Sequence, residues 1–393
     1  MRTIGVVTVA RSDYGIYLPI LRKIKEASDL QLHLMVSGMH LSPEFGLTVK
    51  TIEEDGFEVG ERVEMLLSSD TPEGIAKSMG LGVIGFAQAY ARFRPDILMV
   101  LGDRFEMHAA TLAALPFKIP VAHIHGGEVT QGAIDDALRH SITKLSHLHF
   151  VSTEEYARRL RQLGEEPWRI TVAGAPSLDN LNSVELLDTY VMEERYGLSF
   201  SPAPLLVTFH PVTLEYEQTI LYTAELLAAL SSVKMPIVFT MPNADTSGRM
   251  IIKMIEEFAQ GHVAARIVDN LGTQGYFSLM ALAAAMVGNS SSGIIEAASF
   301  RLPVVNIGTR QQGRIRGENV IDVGYSRAEI CKGIRKVADS GFRCTLDNLV
   351  NPYGCGQAAD KILARIEDIA IDDVLCIKRF CDMALPVEFD HTG

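Results

Sequence analysis

Between Asp103 and His140 the chain concentrates groups that move protons: Asp103, His123, His125, Glu128, Asp135, Asp136, Arg139 and His140. Carboxylates beside imidazoles and an arginine suit general acid–base chemistry, because local surroundings drive neighbouring pKa values apart. His123 and His125 alternate along an apolar run, so on a strand they share one face. Asp135/Arg139 and Asp136/His140 are each one helical turn apart. The same spacings also describe an ordinary surface helix carrying salt bridges. H-x-H with a nearby glutamate is a metal-ligand pattern too. The two glycines before Glu128 hold it loosely, however, and no second ligand cluster follows, so no metal is expected.

A second group is Gly288-Asn289-Ser290-Ser291-Ser292-Gly293, between an apolar run and an expected helix over Ile294–Phe300. Helix starts present unpaired N–H groups, and small side chains let a phosphate approach that backbone. Ser290 and Ser291 add hydroxyl donors, and Glu296 is placed to accept both hydroxyls of a ribose. A plain capped helix start would carry the same residues. Arg11, Arg104, Arg310, Arg314 and Arg316 also follow apolar runs, which favours capture of a diphosphate. Gly80-Leu81-Gly82-Val83-Ile84-Gly85 matches a dinucleotide fingerprint in letters only. It lies inside a helical pattern beginning near Thr71-Pro72-Glu73 instead of at a strand–helix turn, so close helix packing is expected and no nicotinamide cofactor.

The elements that must position these groups are short apolar runs alternating with amphipathic ones. Thr3–Ala10, Leu32–Ser37, Ile97–Leu101 and Val121–Ile124 read as buried parallel strands, with helices over Tyr17–Ala27, Glu73–Arg92 and Asp135–Leu145. The alternation restarts with Leu205–Phe209, Pro236–Thr240, Ala285–Val287 and Val304–Ile307. Two sets of βαβ units predict an α/β protein with two Rossmann-like, doubly wound domains. The expected division is 1–180, 181–360, and a helical segment 361–393 that packs back on the first domain. Ligands of such folds bind beyond the carboxyl ends of the strands. Here those ends carry Arg11, His40, Asp103-Arg104, His125, His210, Asn243, Ser290 and Arg310, and two such edges would enclose a central cleft.

Composition narrows the functional classes. The 393 residues carry 36 Lys+Arg against 48 Asp+Glu, a formal charge of −12, which disfavours nucleic acid or an anionic membrane as partner. The most apolar stretch, Ser278–Gly288, is shorter than the roughly 18–20 residues of a membrane span. The five cysteines form no C-x-x-C pair and fit packing or surface positions in a reducing cytoplasm.

Read in order, A-R-S-D-Y-G, V-S-G-M-H-L, L-G-D-R, H-I-H-G-G-E with D-D-A-L-R-H-S-I-T-K-L-S-H, F-H-P-V-T, G-N-S-S-S-G-x-x-E and G-T-R-Q-x-G-R closely resemble the hydrolysing UDP-N-acetylglucosamine 2-epimerases of sialic-acid and legionaminic-acid pathways. The resemblance runs from Arg2 to about Asp382 and includes N-P-Y-G-x-G-x-A at Asn351–Ala358. It implies a GT-B architecture, a UDP-sugar substrate, no cofactor, and a homodimer or homotetramer. It also implies expulsion of UDP to a glycal, followed by rehydration to N-acetylmannosamine. Arg11, His210, Ser290, Ser291 and Arg310 would hold the leaving diphosphate, Glu296 the ribose, and Asn243 would lie near the nucleotide. His40 and Arg104 would contact substrate. Asp103, Glu128 and Asp135, oriented by Arg104 and Arg139, would handle proton transfer and the oxocarbenium charge.

One position departs from the common family pattern H-I-E-G-G-E: His125 stands at the first glutamate. Either His125 serves as a base in its place, or Glu128 and the Asp135/Asp136 pair do. The same chemistry on UDP-2,4-diacetamido-2,4,6-trideoxy-glucose is the alternative reading. A GT-B glycosyltransferase and a nucleotide-sugar sensor are more distant ones.

Overall fold

The apolar runs become two parallel sheets, each buried on both faces by helices. The structure, a computed structural model, describes residues 1–67, 69, 71–130, 134–241, 246–268 and 271–383. It falls into two units. The first comprises Met1–Glu128, Ala137–Gly174 and the chain from Ala359 onward, and the second Val129–Asp136 and Ala175–Ala358.

The first unit holds β1 (Arg2–Thr8), β2 (Leu30–Ser37), β3 (Val59–Val63), β4 (Ile97–Leu101), β5 (Val121–Ile124), β6 (Leu148–Val151) and β7 (Ile170–Val172). They lie side by side as β3-β2-β1-β4-β5-β6-β7, all parallel. Its helices include α1 (Arg11–Glu26), α2 (Val49–Glu54), α3 (Pro72–Arg92), α4 (Phe105–Ala114), α5 (Ile134–Leu145) and α6 (Glu154–Gln162). Every residue of β4 is buried, as a strand covered on both faces requires. The strand order reverses between β1 and β4, so the crevice beyond their carboxyl ends is the expected ligand position.

The second unit holds β8 (Leu205–Thr208), β9 (Ile237–Thr240), β10 (Ala265–Val268), β11 (Ala285–Gly288), β12 (Val304–Ile307) and β13 (Val320–Val323). Their order is β10-β9-β8-β11-β12-β13, again parallel. The order reverses between β8 and β11. Its core packs Val207, Phe239, Val287 and Val305 against Leu226, Ile251 and Ile330.

The glycine triplet lies inside α3, which Thr71 caps through its hydroxyl. A Cβ on Gly82 would fall 2.6 Å from the Met65 methyl and 3.0 Å from Ala109, and one on Gly85 2.6 Å from Val63. Gly82 and Gly85 serve close packing, whereas Gly80 has nothing within 4 Å of a Cβ position. Of the carboxy-terminal segment expected to be helical over 361–393, the described residues are helical over Ala358–Asp368 and Asp373–Cys376. Within the first unit, Arg2 donates to Ile366 O and Ile369 O at the first helix's end. Arg169, 1% exposed, donates to the carbonyls of Val374, Leu375 and Ile377. The five cysteines are all unpaired thiols, and no helix among the described residues is long and apolar enough to cross a membrane.

Candidate active site

At the β1/β4 crossover of the first unit, α1 starts directly after β1, so Arg11 stands exposed in its first turn. Asp13 turns inward: its Oδ2 accepts the Val9 N–H at 2.7 Å and the Thr8 hydroxyl at 3.3 Å. Burial pushes the Asp13 carboxyl up to about 6 against the pull of Arg104. Arg104 makes a two-point contact with the fully buried Glu106, Nη2 at 2.9 Å and Nε at 3.2 Å. His40, expected to touch substrate, is instead enclosed. Its Nε2 meets Thr8 Oγ1 at 3.0 Å and its Nδ1 meets Thr48 Oγ1 at 2.7 Å, and burial lowers its pKa to about 4. With both ring nitrogens taken, His40 braces the loop after β2.

The histidines of β5 part company. The strand ends at Ile124, and His125 takes a left-handed backbone with φ of 63°. That twist breaks the expected alternation, so the two rings do not share a face. His123 is a core residue, with Nε2 2.8 Å from Gly102 O and Nδ1 3.2 Å from Thr143 Oγ1. Burial drives its pKa down to about 3.

His125 turns to Glu128. Its Nδ1 lies 2.6 Å from Glu128 Oε1, and Ser152 Oγ lies 2.9 Å from that nitrogen and 3.0 Å from that oxygen. Arg139 of α5, 2% exposed, pairs with Asp103 Oδ2. It also donates to His125 O at 2.9 Å and stands 4.0 Å from Glu128 Oε2. Asp103, His125, Glu128 and Arg139 therefore form one connected group, and Arg104 feels the charge of Asp103 beside it. Asp135 is half-buried in the first turn of α5, within the Val129–Asp136 stretch of the second unit. Asp136 accepts the Thr130 N–H at 2.8 Å. Among the described residues no cluster of three His, Cys, Asp or Glu is arranged to hold a metal ion.

The second unit's group stands at the β8/β11 crossover. Gly288 ends β11 with φ of 140°, and a Cβ there would fall 1.9 Å from Thr208 O, so only glycine fits. The following Asn289 is fully buried and locks the loop after β8: its Oδ1 accepts the His210 N–H at 2.7 Å and its Nδ2 donates to His210 O at 2.8 Å. Asn289 O in turn accepts from Arg310 Nη1 at 3.0 Å and Gln311 Nε2 at 2.9 Å. Burial, then Arg310, lowers the His210 pKa to about 3.

Ser290 Oγ accepts the Ser292 N–H at 3.3 Å, and the Tyr276 phenol hydrogen-bonds Ser290, Ser292 and Thr208. The expected helix over Ile294–Phe300 is a single α-turn, Ser292–Ile295, followed by a 3₁₀ turn, Ala297–Phe300. So short an element carries little dipole; hydroxyls and backbone N–H groups supply the donors. Glu296 accepts the Ser177 hydroxyl at 2.5 Å. Arg316 is engaged by Asp322 at 2.9 Å. Asn243 lies outside the described residues. Spacing gave no signal for Ser152 or Tyr276, and Gln311 stood inside the G-T-R-Q-x-G-R motif without a role.

The UDP-N-acetylglucosamine 2-epimerase family model matches residues 22–367. GDP/UDP-N,N'-diacetylbacillosamine 2-epimerase (hydrolyzing) of Campylobacter jejuni is 38% identical over 385 residues, 97% of this chain and 99% of that one. UDP-N-acetylglucosamine 2-epimerase of Neisseria meningitidis is 31% identical over 386 residues, covering 98% and 100%. A crystal structure of UDP-GlcNAc 2-epimerase from Neisseria meningitidis bound to UDP-GlcNAc superposes with a TM-score of 0.80 at 18% identity, covering 94% and 100%, which fixes the fold as the two-domain, GT-B-like α/β type. Taken with the ordered motifs at the strand ends, these likenesses make the chain an enzyme of the UDP-N-acetylglucosamine 2-epimerase family.

Proposed function

We propose that the protein is a hydrolysing 2-epimerase that releases UDP and a free 2-epimeric sugar, with UDP-2,4-diacetamido-2,4,6-trideoxy-glucose as its substrate. The C2 hydrogen of such a sugar is not beside a carbonyl, so direct deprotonation is out of reach near neutral pH. Breaking the C1–O bond to UDP while a base takes the C2 proton gives a glycal. Water then adds at C1 as a proton returns to C2 from the opposite face. The balance is UDP-sugar plus water to 2-epimer plus UDP, with no electron acceptor.

The observation that carries this reading is the buried His125–Glu128 pair beside Asp103–Arg139. A carboxylate on one imidazole nitrogen leaves the other to accept a proton, which supports His125 as the C2 base. Asp103, held by Arg139, stabilises positive charge at C1, and Asp135 is a further carboxylate for proton return. In the second unit Ser290, Ser291 and Arg310 bind the departing diphosphate and Glu296 the ribose, while the resemblance implies Arg11 as a further diphosphate ligand and Asn243 as a neighbour of the nucleotide. With its pKa near 3, His210 is neutral at pH 7, so it donates a hydrogen bond to phosphate and leaves charge neutralisation to the arginines.

The resemblance alone put UDP-N-acetylglucosamine first; 38% identity to the diacetylbacillosamine enzyme against 31% to the N-acetylglucosamine enzyme favours the diacetamido sugar. The second reading keeps UDP-N-acetylglucosamine and rests on that 31% relative. Incubation with each UDP-sugar in D₂O, followed by NMR, tests both. The expected product is free sugar carrying deuterium at C2, with higher kcat/KM for the diacetamido substrate. Retention of the C2 proton would sink the elimination route, and a higher kcat/KM for UDP-N-acetylglucosamine would reverse the substrate assignment.

A further inference from the structure

The residue immediately after β6 is Ser152, and its backbone is set from both sides. Phe150 O accepts the His125 N–H at 3.0 Å, which ties the ends of β5 and β6 together. Thr153 caps α6 by accepting the Tyr156 N–H. The side chain, 3% exposed, is thereby held against the His125–Glu128 pair. Nδ1 of His125, Oε1 of Glu128 and Oγ of Ser152 form a triangle with edges of 2.6, 2.9 and 3.0 Å.

Proton counting in that triangle is restrictive. Two lone pairs cannot face each other across the 2.6 Å edge, so a proton lies between Nδ1 and Oε1. With Glu128 ionised opposite Arg139, whose Nη1 stands 4.0 Å from Oε2, that proton belongs to Nδ1. The Ser152 hydroxyl then has Oε1 as its acceptor, and Nε2 carries the ring's lone pair. In the other tautomer Nδ1 would accept the serine proton, and Glu128 would have to be protonated to span the short edge. The hydroxyl is therefore spent on the carboxylate in one arrangement and on the ring in the other. Serine, histidine and glutamate are the residue types of a hydrolytic triad, but there the nucleophile and the carboxylate occupy opposite ring nitrogens. Here both address Nδ1, which excludes that chemistry.

We infer that Ser152 is a positioning residue: with Glu128 it holds His125 in the tautomer that presents Nε2 as the proton acceptor. The inference rests on the proposed role of His125 as base. The charged and titratable groups around the triangle are Arg139 from α5, Asp103 through Arg139, His123 from β5, and Arg159 from α6, which donates to Gly127 O.

The test combines Ser152→Ala, Ser152→Thr and His125→Gln. Steady-state kinetics are read from about pH 5 to 9, a window around the ordinary histidine pKa. Nitrogen-15 NMR of ring-labelled histidine follows the tautomer, with His125→Gln identifying the resonance. Loss of one donor to an ionised group predicts a fall in kcat of about tenfold for Ser152→Ala, KM within about twofold, and an acid limb raised by about one pH unit. Ser152→Thr is expected to restore kcat and the pH profile. The wild-type ring is expected with its proton on Nδ1, and the Ser152→Ala ring with part of that population moved to Nε2, a change that a merely structural serine would not cause. Wild-type kinetics and pH profile in Ser152→Ala, or a wild-type His125 with its proton on Nε2, would overturn the inference. Full turnover in His125→Gln would instead remove the base assignment, while the tautomer result would still report on Ser152.

Discussion

Among its described residues the first unit contains two buried histidine–glutamate pairs, and their differences show what turns such a pair toward chemistry. His149 Nε2 meets Glu165 Oε2 at 2.9 Å with both side chains fully buried. Lys144 and Lys378 each reach Glu165 at 2.7 Å, and Lys378 also donates to the carbonyls of Thr143 and Lys144. Among the described residues no hydrogen-bond partner reaches the second nitrogen of His149, and the ring is fully buried. Burial works to raise the Glu165 pKa, but the bonds from His149, Lys144 and Lys378 together hold it at about 2. The pair is an anchor for the carboxy-terminal segment. His125–Glu128 instead stands at a strand end, with one hydroxyl and one arginine as company. The residue types are the same; position along the strand and the number of cations around the carboxylate separate the two.

The sharpest way to break this contrast is to remove each histidine or glutamate in turn. His125→Ala is expected to lower kcat by about 10³-fold, within the range for loss of a general base, while UDP affinity measured by calorimetry changes little. Equal losses in both would make His125 structural, like His149. Glu165→Gln is expected to leave kcat of the folded protein unchanged and to cost about 3 kcal/mol of stability, as breaking a buried ion pair does. A thermal melt reads this directly. Its pH dependence has a definite sign. With a folded pKa near 2 and an ordinary value of 4.5, Glu165 contributes stability that is complete above pH 4.5 and lost as pH falls toward 2. The Gln variant should melt with a shallower acid dependence than the wild type. The smallest effect belongs to a neutral donor of the second unit: Ser290→Ala is expected to weaken UDP binding about fivefold, the worth of one ordinary hydrogen bond.

Much of this was legible in the chain. Buried parallel strands such as β4 and β5 announce themselves as unbroken apolar runs. Strands β3, with alternating half-buried and exposed residues over V-G-E-R-V, and β13, V-I-D-V, sit at sheet edges and carry charges, so no apolar run marks them. The three-residue β7 is too short for any period to show. At the site, residue types and strand-end positions pointed to Asp103, Glu128 and the Ser290 loop. What no pattern conveyed was the left-handed turn at His125, which a non-glycine residue rarely adopts. Ser152, adjacent only because β5 and β6 pair, was equally hidden. The burial of His40 between two threonines was invisible for a similar reason: Thr8 and Thr48 are far apart in sequence.

The return of the chain to its first unit has a consequence for synthesis. The ribosome releases residues 175–358, a whole sheet with its helices, before the segment that completes the earlier unit. Until that segment emerges, the Arg169 guanidinium lacks its Val374, Leu375 and Ile377 carbonyls and Glu165 lacks the Lys378 ammonium. The unit encoded first is therefore the one finished last, and a nascent chain halted at Ala358 would carry a completed second unit beside an open first one.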